Sequence, residues 1–130
     1  MGLDMYALKV KREYRKTALD YTTTTSNGEP TATEIAYWRK HNYLHGWMRD
    51  LFFAKGGEGD FNCQPVELTL ADLDALEKAI DDDELTYTEG FFFGGDYAPD
   101  EAVLADYKNF IDLARQEIAD GYCVYYDCWW

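Results

Sequence analysis

Residues 34–53, EIAYWRKHNYLHGWMRDLFF, constrain the chain most, because their polar members fall on one line. Read as a helix at 100° per residue, Trp38, Asn42, His45 and Arg49 stack in a stripe roughly 60° wide. Ile35 and Phe52 border the stripe, so it adjoins apolar surface. Asn, His and Arg on a half-buried face need hydrogen-bond partners, supplied by other protein groups or by a ligand.

The pattern around that segment sets the architecture. Residues 4–14 partly alternate and place Tyr6, Leu8 and Val10 on one face of a strand. The threonines of 22–25 can lengthen a strand, and Asn27-Gly28 then offers a tight turn. Thr33 is the expected N-cap of the long helix. Residues 55–62 read as a mobile loop, and 64–68 as a short strand that Pro65 confines to a sheet edge. Thr69 with Asp72 predicts a capped second helix, with Leu70, Leu73, Leu76 and Ile80 as its core stripe. Residues 85–93 read as a strand broken by Gly94-Gly95. Pro99, Asp100 and Glu101 suit the first turn of a third helix, which buries Val103, Tyr107, Phe110, Ile111, Ala114 and Ile118. Gly121 ends that helix, and 122–130 (YCVYYDCWW) form a last strand. The expected fold is a single α+β domain over 1–130, with three helices packed on a small, mainly antiparallel sheet.

Charge is distributed unevenly. Residues 1–55 carry nine Lys/Arg against six Asp/Glu, a net of +3, and residues 56–130 carry three against nineteen, a net of −16; together these give the −13 of the chain. The acidic half is a poor partner for nucleic acid. No stretch approaches the ~18 apolar residues of a membrane helix. The opening MGLDMYALKVKREY lacks the apolar core of a signal peptide and, with Tyr6 at the sixth position, a myristoylation motif. Cys63, Cys123 and Cys128 are an odd set without CxxC spacing, which fits buried, reduced thiols. Cys123 and Cys128 are five positions apart, so on one strand they face opposite ways and no local disulfide joins them.

Catalytic signatures are sparse. His41 and His45 stand four apart on the expected helix, but the chain has no other histidine and no zincin Glu, so no metal is expected. There is no GxSxG, P-loop or GxGxxG, and no pair among the many carboxylates stands out as an acid/base couple. No enzymatic role and no cofactor is therefore assigned. What remains is a polar-aromatic pocket: Trp38, Arg39, Asn42, His45 and Arg49 from the helix, with Phe91, Phe92, Phe93, Gly94 and Tyr97 from a glycine-bracketed aromatic run. Arginines can hold an anion, and aromatic rings can stack on a base.

The opening MGLDMY, the segment EIAYWRK-x-N-x-x-H-x-W, the run GFFFG-x-x-Y and the aromatic C-terminus resemble a family of small proteins encoded mostly by bacteriophages and prophages. The matching positions are Tyr37, Trp38, Arg39, Lys40, Asn42, His45, Trp47, Gly90, Phe91–Gly94 and Tyr97. The family brings no assigned residue roles; it implies a phage product acting in the host bacterial cytoplasm. One expectation is a non-enzymatic binder of a small anionic or nucleotide-like ligand, sequestering a host immune signal. In it Arg39 or Arg49 pairs a phosphate, Asn42 reads a base or ribose edge, and Trp38 sandwiches the base with an aromatic of 91–97. The alternative is an acidic inhibitor or DNA mimic that covers a basic host protein through Asp72, Asp74, Glu77 and Asp81–Glu84. The apolar end of the last strand, read as an edge, adds a homo-oligomer.

Overall fold

The computed structural model describes residues 3–85 and 100–130. In chain order its elements are β1 (Asp4–Lys11), β2 (Arg15–Thr17), β3 (Asp20–Tyr21), β4 (Ala32–Arg39), α1 (Asn42–Ala54), β5 (Val66–Leu68), α2 (Leu70–Asp81), α3 (Glu101–Ala119) and β6 (Tyr122–Trp129). The main sheet runs β4-β1-β6-β5 with every pair antiparallel, and β2 and β3 form a second, two-stranded sheet. Three helices lie on the main sheet, so the expected α+β class holds.

The two faces of the sheet are unequal. Met5 and Ala7 of β1, Trp38 of β4, Val66 and Leu68 of β5, and Val124, Tyr126 and Cys128 of β6 point into the helical core. There they meet Leu44, Met48 and Phe52 of α1, Leu73, Leu76 and Ile80 of α2, and Tyr107, Phe110, Ile111 and Ala114 of α3. The opposite face carries a smaller cluster, Val10, Cys123 and Tyr125 under Tyr21 of β3, with Tyr14 beside it. Cys123 and Cys128 therefore do face opposite ways, and all three cysteines are free. Cys63 is exposed, contrary to the expectation of three buried thiols.

Local chemistry explains the element ends. The Thr69 hydroxyl accepts from the Asp72 N–H at 3.2 Å, and the Asp72 carboxylate accepts from the Thr69 N–H at 2.9 Å, the reciprocal box expected at this position. Asp100 caps α3 by accepting from the Val103 N–H at 2.9 Å. Gly121 follows α3 at φ +99°, a left-handed conformation that a side chain would strain. Gly28 takes φ +80° in the expected turn, and its N–H donates to the Thr25 carbonyl at 2.9 Å. The threonines before it do not extend a strand; only Thr24 makes a bridge, to Pro30.

The long helix is the main correction. Residues 34–39 are strand, not helix, and α1 begins at Asn42, so Thr33 caps nothing. β4 pairs with β1 through Met5 opposite Trp38 and Ala7 opposite Ala36, with a bulge between Ala7 and Leu8. Ladder bonds to β1 and burial of Trp38 outweigh helix continuity for a segment containing Thr33, Ile35, Tyr37 and Trp38, all residue types that suit strands. Lys40, at φ +60°, breaks the direction, its N–H donating to the Leu3 carbonyl at 2.8 Å. β6 is also not an edge. It lies between β1 and β5, and beyond β5 the chain at 61–63 covers its end, with the Cys63 N–H donating to the Cys128 carbonyl at 2.7 Å. The expected self-association loses its stated basis. Phe61, in the loop expected to be mobile, is buried against His45 and Phe52. The expected strand at 85–93, the GFFFG run and Tyr97 lie outside the described residues but for Leu85.

Candidate functional site

Of the expected pocket residues, Trp38, Arg39, Asn42, His45 and Arg49 lie among the described residues. Trp38 is buried on β4. Its indole N–H donates to Asp106 at 2.9 Å and its ring stands edge-on to Phe110 at 5.0 Å. Arg39 lies at the exposed end of the same strand, its Nε 3.6 Å from Asp4. Asn42 and His45 are buried on the first turn of α1, and Arg49 is exposed one turn on, 5.7 Å over the Phe53 ring. His45 stacks on Phe61 at 5.3 Å, and its Nδ1 is 2.7 Å from the Tyr126 hydroxyl. Burial, with the nearby Arg49 charge adding to it, pulls the His45 pKa down to about 4, so its ring is neutral at pH 7. His41 meets a different tyrosine, its Nδ1 2.7 Å from the Tyr107 hydroxyl. The two histidines do not converge, and among the described residues no three His, Cys, Asp or Glu side chains gather at metal-binding spacing.

Two shallow clefts stand out among the described residues. One, of about 250 Å³, runs between β4 and α3 and is lined by Ile35, Tyr37, Trp38, Asp106, Asn109 and Leu113 among others. The other, of about 290 Å³, opens between the end of α3 and β5, where Arg12, Arg15, Glu67, Thr69 and Cys123 meet. Sequence reasoning missed the second cleft, because Arg15 and Glu67 are 52 positions apart and nothing in their local patterns links them. The Arg15 guanidinium forks onto the buried Glu67 carboxylate at 2.9 to 3.1 Å, and Arg12 donates to the Ile118 carbonyl at 3.2 Å. Burial pushes the Cys123 and Cys128 thiols up, so neither is a ready thiolate.

The ion pair makes a direct prediction. Arg15→Met strands the Glu67 carboxylate and is expected to destabilise the fold by about 2 kcal/mol; this is below the cost of breaking a fully buried pair, because the Arg15 side chain is 41 % exposed. Adding Glu67→Gln to that variant removes the stranded charge and is expected to restore more than half of the loss. Urea denaturation of both variants measures this, and a double variant no more stable than the single one refutes the coupling.

The third feature is the charge of the helical layer. Residues 70–84 and 100–120 carry thirteen Asp/Glu against three Lys/Arg. Each of the three cations is already engaged inside the layer. Lys78 pairs with Asp82, Lys108 with Asp81, and Arg115 with Asp74 at 2.7 Å and Glu77 at 3.2 Å. Asp83, Glu84, Glu101 and Asp120 lie exposed along its ends.

Fold and surface together define a small α+β domain with an acidic helical layer on one side and a partly covered antiparallel sheet on the other. No family model matches the chain, and neither a curated protein nor a solved structure does so. Among the described residues no helix is long and apolar enough to cross a membrane.

Proposed function

We propose that the protein is a non-enzymatic binding protein of phage or prophage origin, active in the host bacterial cytoplasm, that covers a basic surface of a host protein with its acidic helical layer. The observation that carries this reading is the thirteen-to-three charge imbalance of the α2 and α3 regions, with all three cations held internally. Such a surface speeds encounter with a cationic partner and disfavours nucleic acid. Pulldown from host lysate at low salt is expected to recover one basic protein and to lose it at high salt. A variant with Asp81, Asp82, Asp83 and Glu84 all changed to Lys should lose the partner while keeping its circular dichroism spectrum. Retention of the partner by that folded variant overturns the reading.

A second reading, binding of a small anionic or nucleotide-like ligand, is favoured by the position of Arg12 in the 290 Å³ cleft. Arg15 is engaged there by the Glu67 carboxylate, whereas Arg12 lines the cleft bonded to the Ile118 carbonyl and, among the described residues, has no ion-pair partner. A thermal-shift screen with cyclic dinucleotides and ADP-ribose derivatives, repeated on Arg12→Ala, tests it: a shift that the variant loses supports this reading, and no shift with any of them removes it.

A further inference from the structure

Among the described residues, one end of the sheet face turned away from the helices is covered. Tyr21 and Tyr14 roof Val10, Cys123 and Tyr125, and among the described residues none roofs the open half that carries Tyr37 and Trp129. Tyr37 there is 48 % exposed and Trp129 is 63 % exposed. Strand register gathers the residues of the open half. Tyr6 on β1 stands opposite Tyr37 on β4 and Asp127 on β6, while Asp4 stands opposite Arg39 and Trp129. Residues directly opposite in an antiparallel pair share a face, and Trp129 is the diagonal neighbour of Tyr6 at ~7–8 Å. The Tyr6 and Tyr37 rings are 5.4 Å apart and tilted by 51°.

This aromatic surface is ringed with carboxylates. Asp127 stands directly opposite Tyr6, and Glu34 stands opposite Leu8 two residues along; desolvation, then the charges of Asp4, Glu34 and Asp127, hold the Tyr6 hydroxyl above its ordinary pKa. Asp4 accepts from the Tyr37 hydroxyl at 2.6 Å and touches Arg39 at the rim. Asp127 is different. It is half-buried, its carboxyl is pushed up by desolvation, and it accepts the Cys128 N–H at 2.7 Å. Among the described residues it has no ion-pair partner. A partly desolvated carboxylate beside electron-rich ring faces repels anions and gains from a cation. The ammonium of lysine is strongly hydrated and gives up water reluctantly. A guanidinium is flat, weakly hydrated, stacks on rings and forks onto a carboxylate.

We infer that Tyr6, Tyr37, Trp129 and Asp127 form a binding site for the guanidinium of an arginine side chain presented by a partner polypeptide. The site lies on the opposite face of the sheet from the acidic helical layer and does not depend on the reading of that layer.

The test uses the full ¹⁵N-labelled chain and N-acetyl-arginine amide as probe. The indole N–H signal of Trp129, identified by its loss in Trp129→Phe, is expected to shift and saturate over a titration to ~50 mM, the range of a weak single-side-chain site. N-acetyl-citrulline amide, which has the same shape without the charge, should leave that signal unmoved. Asp127→Asn should weaken arginine binding by about tenfold, the loss of one charge-assisted contact. Tyr37→Leu, at a half-exposed position of the outer strand, should weaken it while leaving the rest of the spectrum in place. An unmoved Trp129 signal with arginine, or an equal shift with citrulline, overturns the site. Undiminished binding in Asp127→Asn overturns the role of the carboxylate and with it the proposal. Loss of the host partner in the pulldown leaves this titration unaffected, so the two readings fail separately.

Discussion

Replacing Trp38 with alanine is expected to destabilise the protein by about 3–5 kcal/mol, the range for emptying a buried large aromatic site. The indole projects from β4 onto α3, edge-on to Phe110 at 5.0 Å and to Tyr107 at 6.2 Å. Its removal leaves a void that two facing aromatic rings cannot readily close. Trp38→Phe keeps a ring in that place and loses only the N–H bond to Asp106, whose carboxylate is exposed and can turn to water. That variant is expected to retain most of the stability. Urea denaturation of the two variants distinguishes core packing from a ligand platform: a loss under 1 kcal/mol in Trp38→Ala contradicts the core assignment.

Acid is expected to weaken the fold through His45. The folded-state pKa of about 4 lies below the 6.5 of an unperturbed imidazole, because burial disfavours the imidazolium. Above pH 6.5 the ring is neutral in both states, and its contribution is fully present. As the pH falls through 6.5, the unfolded chain takes up a proton that the folded chain refuses, and stability drains until the folded ring itself titrates near pH 4. A separation of this size amounts to about 3 kcal/mol between pH 7 and pH 4. His45→Gln removes the titration while keeping one donor and one acceptor beside the Tyr126 hydroxyl. The stability difference between wild type and this variant should therefore shrink by about 3 kcal/mol, in favour of the variant, from pH 7 to pH 4. Urea midpoints at four pH values measure it, and a difference independent of pH refutes the assignment. The carboxylates titrate alike in both proteins and cancel in the comparison.

The parts of this fold that were legible in the sequence are those whose chemistry is local. Thr69 and Asp72 form a capping box that needs only each other. The buried face of α3, with Tyr107, Phe110, Ile111 and Ala114, follows from its own period. The opposed directions of Cys123 and Cys128 follow from strand parity. The reading of 34–53 failed because two different repeats meet there. Trp38 faces the core by strand alternation, and Asn42 and His45 do so by helical turn, with Lys40 between them at φ +60°. A single 100° projection runs through both and produces a stripe that the chain never forms. Only the pairing partner of β1 decides the matter, and it is invisible to local pattern. The partners of Trp38 and His45 were hidden for the same reason: Asp106 and Tyr126, which engage them, are 68 and 81 positions away. The cation site on the open sheet face needs the order β4-β1-β6 before Tyr6, Tyr37, Asp127 and Trp129 become neighbours at all.

That strand order also fixes a sequence of events. The centre of the sheet is the pairing of β1 with β6, in which Lys11 faces Tyr122 and Asp4 faces Trp129. During synthesis β1 and β4 emerge early and can pair across the connection that carries β2 and β3. Their inner side waits for a partner translated more than a hundred residues later. Until then Met5, Ala7 and Val10 lack the neighbours that bury them, and α1 and α2 have only an incomplete floor to settle on. Closure of so distant a pairing is slow by nature, because the entropy of the loop is lost before the ladder forms. Completion of the core therefore waits on β6, whose pairing with β1 closes the longest loop in the sheet.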